Sequence, residues 1–445
     1  MTSMRSAMTA PMDRIKLFSL GSLQMRTFHL TWLMFFVCFF GWFGLAPLMP
    51  IIRADLGLTK VQVGNTIIAS VSSTIIARLV IGRCCDVWGP RLTAVWLLLI
   101  GSIPALLVGL SRDYTSFLLF RLAIGVIGAS FVITQFHMSM MFAPAIKGTA
   151  GAITGGWGNL GGGVTNMLMP VIFAAIVGFG YTPHLAWRYA MIVPAVMMGV
   201  IAFLYYRYTK DTPAGNFSQN DRGVKTRPGS GGWLAALADW RILALTLAYA
   251  VCFGMEITFD NVASLYFVDN FHLSTGRAGL WAGVFGAMNL FARALGGILS
   301  DKAGFRWGMR GKGLLLGGVL LLEGLALLAF SRANVLTLAI GFMLLFALFL
   351  KMANGAVYGI VPFINEKRTG MIAGVVGAGG NLGGMIFGFL FRSASLRYAE
   401  AFGAIGMAAV GVAVFVSCVR WAPDGQRIIV AKAAPAVEGA ATASA

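Results

Sequence analysis

Twelve apolar stretches, each near the roughly 20 residues that carry a helix across a bilayer, follow one another along this chain of 445 residues and leave little room for another architecture. They run at about 29–50, 62–84, 92–111, 116–142, 149–178, 187–206, 240–268, 277–300, 313–331, 334–361, 370–391 and 401–421. A bilayer offers no partner to a bare backbone amide, so a spanning segment of this length satisfies its own hydrogen bonds as a helix. Apolar residues make up 58% of the chain and charged residues 11%, well below the quarter or so of charged side chains in soluble domains. The predicted fold class is an all-α membrane protein with twelve transmembrane helices.

The net charge of +18 would suggest nucleic acid in a soluble protein. Sorted by membrane side with both termini inside, however, 22 of the 34 Lys and Arg fall on the cytosolic side, 8 on outer loops and 4 inside the membrane. That distribution follows the positive-inside rule. It predicts a multi-pass protein of the inner (plasma) membrane with cytosolic termini, in contact with lipid and with no nucleic-acid partner. The cysteines Cys38, Cys84, Cys85, Cys252 and Cys418 lie in or beside predicted helices, so no disulfide framework is implied.

Residues 1–28 read as a cytosolic N-terminal segment without the short apolar core and cleavage site of a removable signal. One long polar interruption, 208–239, contains Pro213, Gly215 and the run Pro228-Gly229-Ser230-Gly231-Gly232 and reads as a cytosolic linker. It separates a six-helix bundle at 29–207 from a second at 240–421, and the Ala-rich stretch 422–445 is too poor in large apolar residues to pack, so a disordered cytosolic tail is expected.

Two internal repeats relate the halves. Arg78, Gly82, Asp86, Gly89 and Arg91 recur as Arg293, Gly297, Asp301, Gly304 and Arg306, each displaced by 215 residues. Gly158-Asn159-Leu160-Gly161-Gly162 in the fifth stretch recurs as Gly380-Asn381-Leu382-Gly383-Gly384 in the eleventh. An arginine inside hydrocarbon costs about 3 kcal/mol on insertion scales and marks a functional site by default. Arg78 and Arg293 each lie eight residues from the motif Asp, about 12 Å inward at 1.5 Å per residue. Against a half-thickness of about 15 Å, both reach the central plane, and Asn159 and Asn381, eleven or twelve residues into helices entered from the cytosol, reach the same level at about 16 to 18 Å. Two permanently charged planar forks suit a small planar oxyanion. The competing reading is that Glu256, Asp260 or Glu323 neutralises the arginines. Lys351 either widens the positive potential or extends toward the cytosol, and Arg121 is expected to snorkel outward.

The Gly-x3-Asp-x2-Gly-x-Arg stretches resemble the signature loop of the major facilitator superfamily, where parallel six-helix repeats enclose a midplane substrate site. That resemblance implies two pseudo-symmetric bundles and a charge-paired gating loop built from Gly82, Asp86, Gly89, Arg91 and their copies. The twin Gly-Asn-Leu-Gly-Gly sequences, with Ala46-Pro47-Leu48-Met49-Pro50 and Met288-Asn289-Leu290-Phe291-Ala292-Arg293, resemble the nitrate/nitrite porter family within that superfamily, from about Thr31 to Phe391. The resemblance implies that Arg78 and Arg293 clamp nitrate or nitrite, that Asn159 lies beside the anion, and that Tyr249, Phe253 and Phe131 enclose it. Glu256 and Asn261 resemble the plant, fungal and cyanobacterial branch, a style of importer.

The expected activity is secondary active transport of nitrate, and of nitrite, by alternating access in a monomer. Symport with protons and exchange both remain open, with Glu256 either a proton site or a counter-ion. A carrier for formate, oxalate or phosphate, or a nitrate receptor without flux, is the alternative. His29, His137, His184 and His272 are scattered rather than spaced as metal ligands, and neither a cofactor nor an enzymatic reaction is expected.

Overall fold

The computed structural model describes residues 10–143, 146–217, 239–365 and 369–421. The expected tail at 422–445 and most of the expected linker, 218–238, lie outside the described residues. Twelve spans form, here called α1 to α12. They are Leu23–Phe43, Lys60–Trp88, Pro90–Leu110, Tyr114–Met141, Thr149–Gly178, Pro183–Tyr208, Trp240–Phe271, the pair α8 and α9 inside Thr275–Ser331, Leu336–Phe363, Met371–Arg392 and Tyr398–Cys418.

The segment Thr275–Ser331 is 57 residues long, about 85 Å as one helix and far more than a bilayer's thickness. Gly308 divides it: its φ of +61° is left-handed and turns the chain back, giving α8 at 275–307 and α9 at 309–331. An even number of spans leaves both ends on one face of the bundle, the terminal side, with the far side opposite.

Helix α1 starts six residues before the expected position, because Ser22 caps it by accepting from the Met25 amide at 3.2 Å. It also stops at Phe43, and the stretch expected to complete it forms a separate short helix, Met49–Asp55, with Pro50 in its first turn. Thr59 and Gln62 close a capping box at the far end of α2. Gly89 ends that helix with φ +83°, and a Cβ there would stand 2.4 Å from the Asp211 carboxylate.

Spans α1–α6 and α7–α12 form two bundles. Helix α7 is the most enclosed, every residue from Val251 to Phe267 being buried, whereas Ile76, Trp96, Ile103, Val196 and Phe203 are exposed on the perimeter, as side chains facing lipid tails are. The halves meet along two seams, α2 with α11 and α5 with α8. At the second, Gly163 and Gly286 bring main chain onto main chain, a Cβ on either landing under 3.0 Å from the other's backbone.

Candidate functional site

Near the middle of α2, Arg78 projects across the interface, and its Nη1 donates to the Gly377 carbonyl of α11 at 3.0 Å. Asn381, one turn further along α11, donates to the same carbonyl at 3.2 Å. The Arg78 guanidinium lies 5.7 Å from the centre of the Phe131 ring. Arg293, in the middle of α8, faces the same space, since Tyr249 and Tyr358 lie within electrostatic range of both arginines.

The aromatic residues form one continuous row across the halves. Phe39 contacts Phe35 at 4.5 Å between centroids, Phe35 contacts Phe131 at 5.6 Å, and Phe131 meets Tyr358 at 6.2 Å across the interface. Tyr358 meets Tyr249 edge-on at 5.1 Å, and Tyr249 stacks on Phe253 at 4.9 Å with 4° between planes. The row is pseudo-symmetric. Gly158 in α5 makes room for Phe35, as Gly380 in α11 does for Tyr249. Gly161 lets α5 close on the Phe36 carbonyl, as Gly383 lets α11 close on that of Ala250. Gly384 admits Ile257, while Gly162 faces Asp260 and Phe43. Each glycine signature thus seats an aromatic-bearing helix within its own half.

Phe35 and Tyr358 were not singled out from the sequence. Phe35 stands 214 residues before Tyr249, one short of the arginine offset, and Tyr358 stands 227 after Phe131. Unequal loops hide both pairs from a search at fixed spacing.

Glu256 lies beside this row with both oxygens engaged. Oε1 accepts from Asn289 and Lys351, each at 2.7 Å, while Oε2 accepts from Asn354 at 2.6 Å and faces Arg293 Nη2 at 3.5 Å. A 3-10 turn at Met288–Leu290, just before Arg293, presents Asn289 to the carboxylate. Lys351 is fully buried, with its ammonium 4.2 Å from the Phe285 ring centre, and does not extend toward either face. Of the carboxylates weighed as counter-ions, Glu256 takes that role for Arg293; neither Asp260 nor Glu323 is seen in an ion pair.

Several polar atoms in and around the site are buried without a hydrogen bond: Nε of Arg78, Nε and Nη2 of Arg293, the latter with only its 3.5 Å ion-pair contact to Glu256, and both amide atoms of Asn159. Buried polar atoms are nearly always hydrogen-bonded, so the spare Nε donors of Arg78 and Arg293 and the free Asn159 amide nitrogen are suited to the rim of an anion site.

Arg121 departs from expectation. It is fully buried, its Nη1 donating to the Trp42 carbonyl at 3.2 Å and its Nη2 to Asn261 Oδ1 at 3.0 Å. The acceptor that holds it belongs to α7, which the sequence of α4 alone cannot reveal. The contacts seen for Arg91 and Asp301 of the signature loops run inside their own halves. Asp211, after α6, accepts from the Arg91 amide at 2.9 Å, and the Arg91 Nε donates to the Tyr206 carbonyl at 3.0 Å. In the second copy Asp301 pairs with Lys312 at 2.6 Å.

Bonds between the halves crowd the far side. Arg53 holds Asp269 through two nitrogens at 2.7 and 3.0 Å, Lys60 donates to the Leu396 carbonyl, and Ser264 donates to Asn166 Oδ1 at 3.1 Å. A cavity of about 480 Å³ opens there among Arg53, Lys60, Asp269 and Tyr398, apart from the arginine pair.

Comparison with known proteins agrees with this architecture. The family model for the Major Facilitator Superfamily matches residues 31–388. The chain is 38% identical over 382 residues to "High affinity nitrate transporter 2.5" of Arabidopsis thaliana, covering 85% of this chain and 76% of that one. It is 40% identical over 383 residues to "High-affinity nitrate transporter 2.3" of Oryza sativa subsp. japonica, covering 84% and 73%. It is 30% identical over 456 residues to "Nitrate/nitrite transporter NrtP" of Picosynechococcus, covering 81% and 84%. Among solved structures, a bacterial homolog of the human lysosomal transporter Spinster, inward-facing and unoccupied, superposes with a TM-score of 0.65 at 16% identity, over 89% of this chain and 95% of that one. With a superfamily match over most of the sequence and relatives of this closeness, the chain belongs to the nitrate/nitrite porter family of the Major Facilitator Superfamily.

Proposed function

We propose that this protein carries nitrate, and nitrite, across the plasma membrane as a monomer, by alternating access, with Arg78 and Arg293 gripping the anion from opposite halves. The observation that carries this reading is that both guanidinium groups lie mid-span with a buried Nε that has no partner, Nη2 of Arg293 being held only by its 3.5 Å contact with Glu256. A trigonal anion accepts in its own plane from the two forks, while ring edges and faces from Phe131, Tyr358, Tyr249 and Phe253 border the space. Asn159, with a free amide, adds a donor, and Asn381 holds the Gly377 carbonyl that steadies Arg78.

Arg78 and Arg293 are only partly buried although they lie mid-span, and the bonds on the far side favour a pathway opening toward the terminal side. The basic surplus on that side assigns it to the cytosol. Glu256, held by three hydrogen-bond donors and facing Arg293, serves as a fixed counter-ion that keeps Lys351 and Arg293 tolerable in a buried setting. The signature loops, anchored by Arg91 and Asp301 within their own bundles, stiffen each half at the cytosolic end and gate the pathway as the halves approach.

Uptake of labelled nitrate into proteoliposomes tests the reading, with nitrite, formate, oxalate and phosphate as competitors. Saturable uptake blocked by nitrite and little affected by phosphate is expected. Preferential uptake of another of these anions would replace nitrate as the substrate, and nitrate binding without flux would turn the carrier into a receptor.

A further inference from the structure

We propose that Asp260 is the group that takes up a proton together with the anion. The inference rests on the transport reading above and assigns the side chain through which a proton would couple to the anion in the same carrier.

Glu256 and Asp260 stand one turn apart on α7, about 6 Å along the axis, in opposite circumstances. Glu256 is surrounded by donors, two of them cations. Asp260 is only 3% exposed, and its Oδ1 is buried with no hydrogen-bond partner. Its other oxygen would lie 3.1 Å from a Cβ on Gly162, so the carboxyl group packs directly on the glycine signature of the opposite half.

The groups that face it from each neighbouring helix are otherwise occupied. Lys351 of α10 has its ammonium on Glu256 Oε1. Arg121 of α4 donates to Asn261 and to the Trp42 carbonyl. On α5, Asn166 gives its amide to the Gly162 carbonyl and to the backbone carbonyl of Asp260, leaving the carboxyl group untouched. Helix α1 contributes the Phe43 ring beside Gly162. An isolated carboxylate in such surroundings is far costlier than a carboxylic acid.

Location separates Asp260 from the other unpartnered carboxyl group. Glu323 on α9 is fully buried with neither oxygen bonded, but its neighbour Gly324 packs on Gly406 of α12, inside the second half. Rocking of the halves leaves that environment unchanged, so a proton there stays. The surroundings of Asp260 include α5 of the first half, and they change each time the interface opens.

Charge links the two substrates. Lys351 and Arg293 project positive potential along α7, which favours the ionised form of Asp260. An anion between the arginines offsets that potential and promotes protonation of the Asp260 carboxylate; by reciprocity, the proton tightens anion binding. One nitrate and one proton together carry no net charge, which removes the work of moving an anion against an inside-negative potential.

The test uses the full-length protein in proteoliposomes, with labelled nitrate, an internal pH dye, and either an imposed inward proton gradient or nitrate/nitrate counterflow without one. For the wild type we expect gradient-driven accumulation with internal acidification. Asp260→Asn should lose at least tenfold of the gradient-driven accumulation while counterflow persists. Asp260→Glu should restore gradient dependence, and Glu323→Gln should retain it. Gradient-driven accumulation by Asp260→Asn at the wild-type level overturns the inference. So does wild-type flux without internal acidification, which decides the matter even if both Asp260 variants fail to fold. Absence of wild-type counterflow would instead count against nitrate transport itself.

Discussion

Arg78 and Arg293 occupy the same place in two copies of one motif, yet their company differs. Arg78 has a main-chain carbonyl and the Phe131 ring, with no carboxylate seen in an ion pair. Arg293 stands over Glu256, which is shared with the buried Lys351. The row of rings repeats the contrast, with Phe35 and Phe131 in the first half where the second has Tyr249 and Tyr358. Duplication fixed where the charges stand, and divergence of the neighbours decided what each does. Arg293 and Lys351 against one Glu256 leave a single positive charge in the second half, and Arg78 adds another with no carboxylate seen beside it.

Substituting the two arginines in parallel tests this contrast most severely. Arg78→Lys should lower kcat/KM for nitrate by about 100-fold or more, because an ammonium cannot replace the fork and no second cation backs it. Arg293→Lys, with Lys351 close by, should lose only about tenfold. Equal losses in proteoliposome uptake would break the comparison. Glu256→Gln comes next. It strands Lys351 and Arg293 without their carboxylate and should cost about 3–5 kcal/mol of stability, read as earlier thermal unfolding of the purified protein. Adding Lys351→Met should recover part of that loss, and failure to do so would show that Glu256 acts through another partner.

Tyr358→Phe makes the second half resemble the first at one ring. Loss of a single hydroxyl corresponds to about 1 kcal/mol, so the KM for nitrate should rise about fivefold; no change would mean that the hydroxyl takes no part in binding. The smallest effect is expected at the far side. Arg53 and Asp269 are partly exposed, and such pairs contribute up to about 1 kcal/mol. Asp269→Asn should speed thiol labelling of a Ser264→Cys reporter from that face by no more than about fivefold.

Much of this was legible in the sequence because it depends on spacing along one chain. The twelve apolar stretches and the offset between Arg78 and Arg293 need only counting, and Asn159 and Asn381 follow from the rise of a helix. What escaped depends on how helices are rotated against one another. Arg121 reads as a snorkelling residue until α7 turns Asn261 toward it. Lys351 reads as a stray cation until α10 lays it beside Glu256. Phe35 and Tyr358 look like ordinary core aromatics in a chain with 33 Phe and 10 Tyr, and only the packing of α1 on α5 and of α10 on α7 joins them into a row. The break in the first helix, at Gly44–Leu48, is another such case, since the apolar run continues through it without interruption.

The contact of Gly163 with Gly286 bears on speed as well as shape. Where two bodies touch through bare backbone, no rotamers have to be exchanged and no interlocking knobs withdrawn for one to tilt against the other. Under the alternating access proposed above, such a bearing would turn at low friction. Ala substituted at either glycine would act as a brake, slowing each turnover even where the grip on the cargo is untouched.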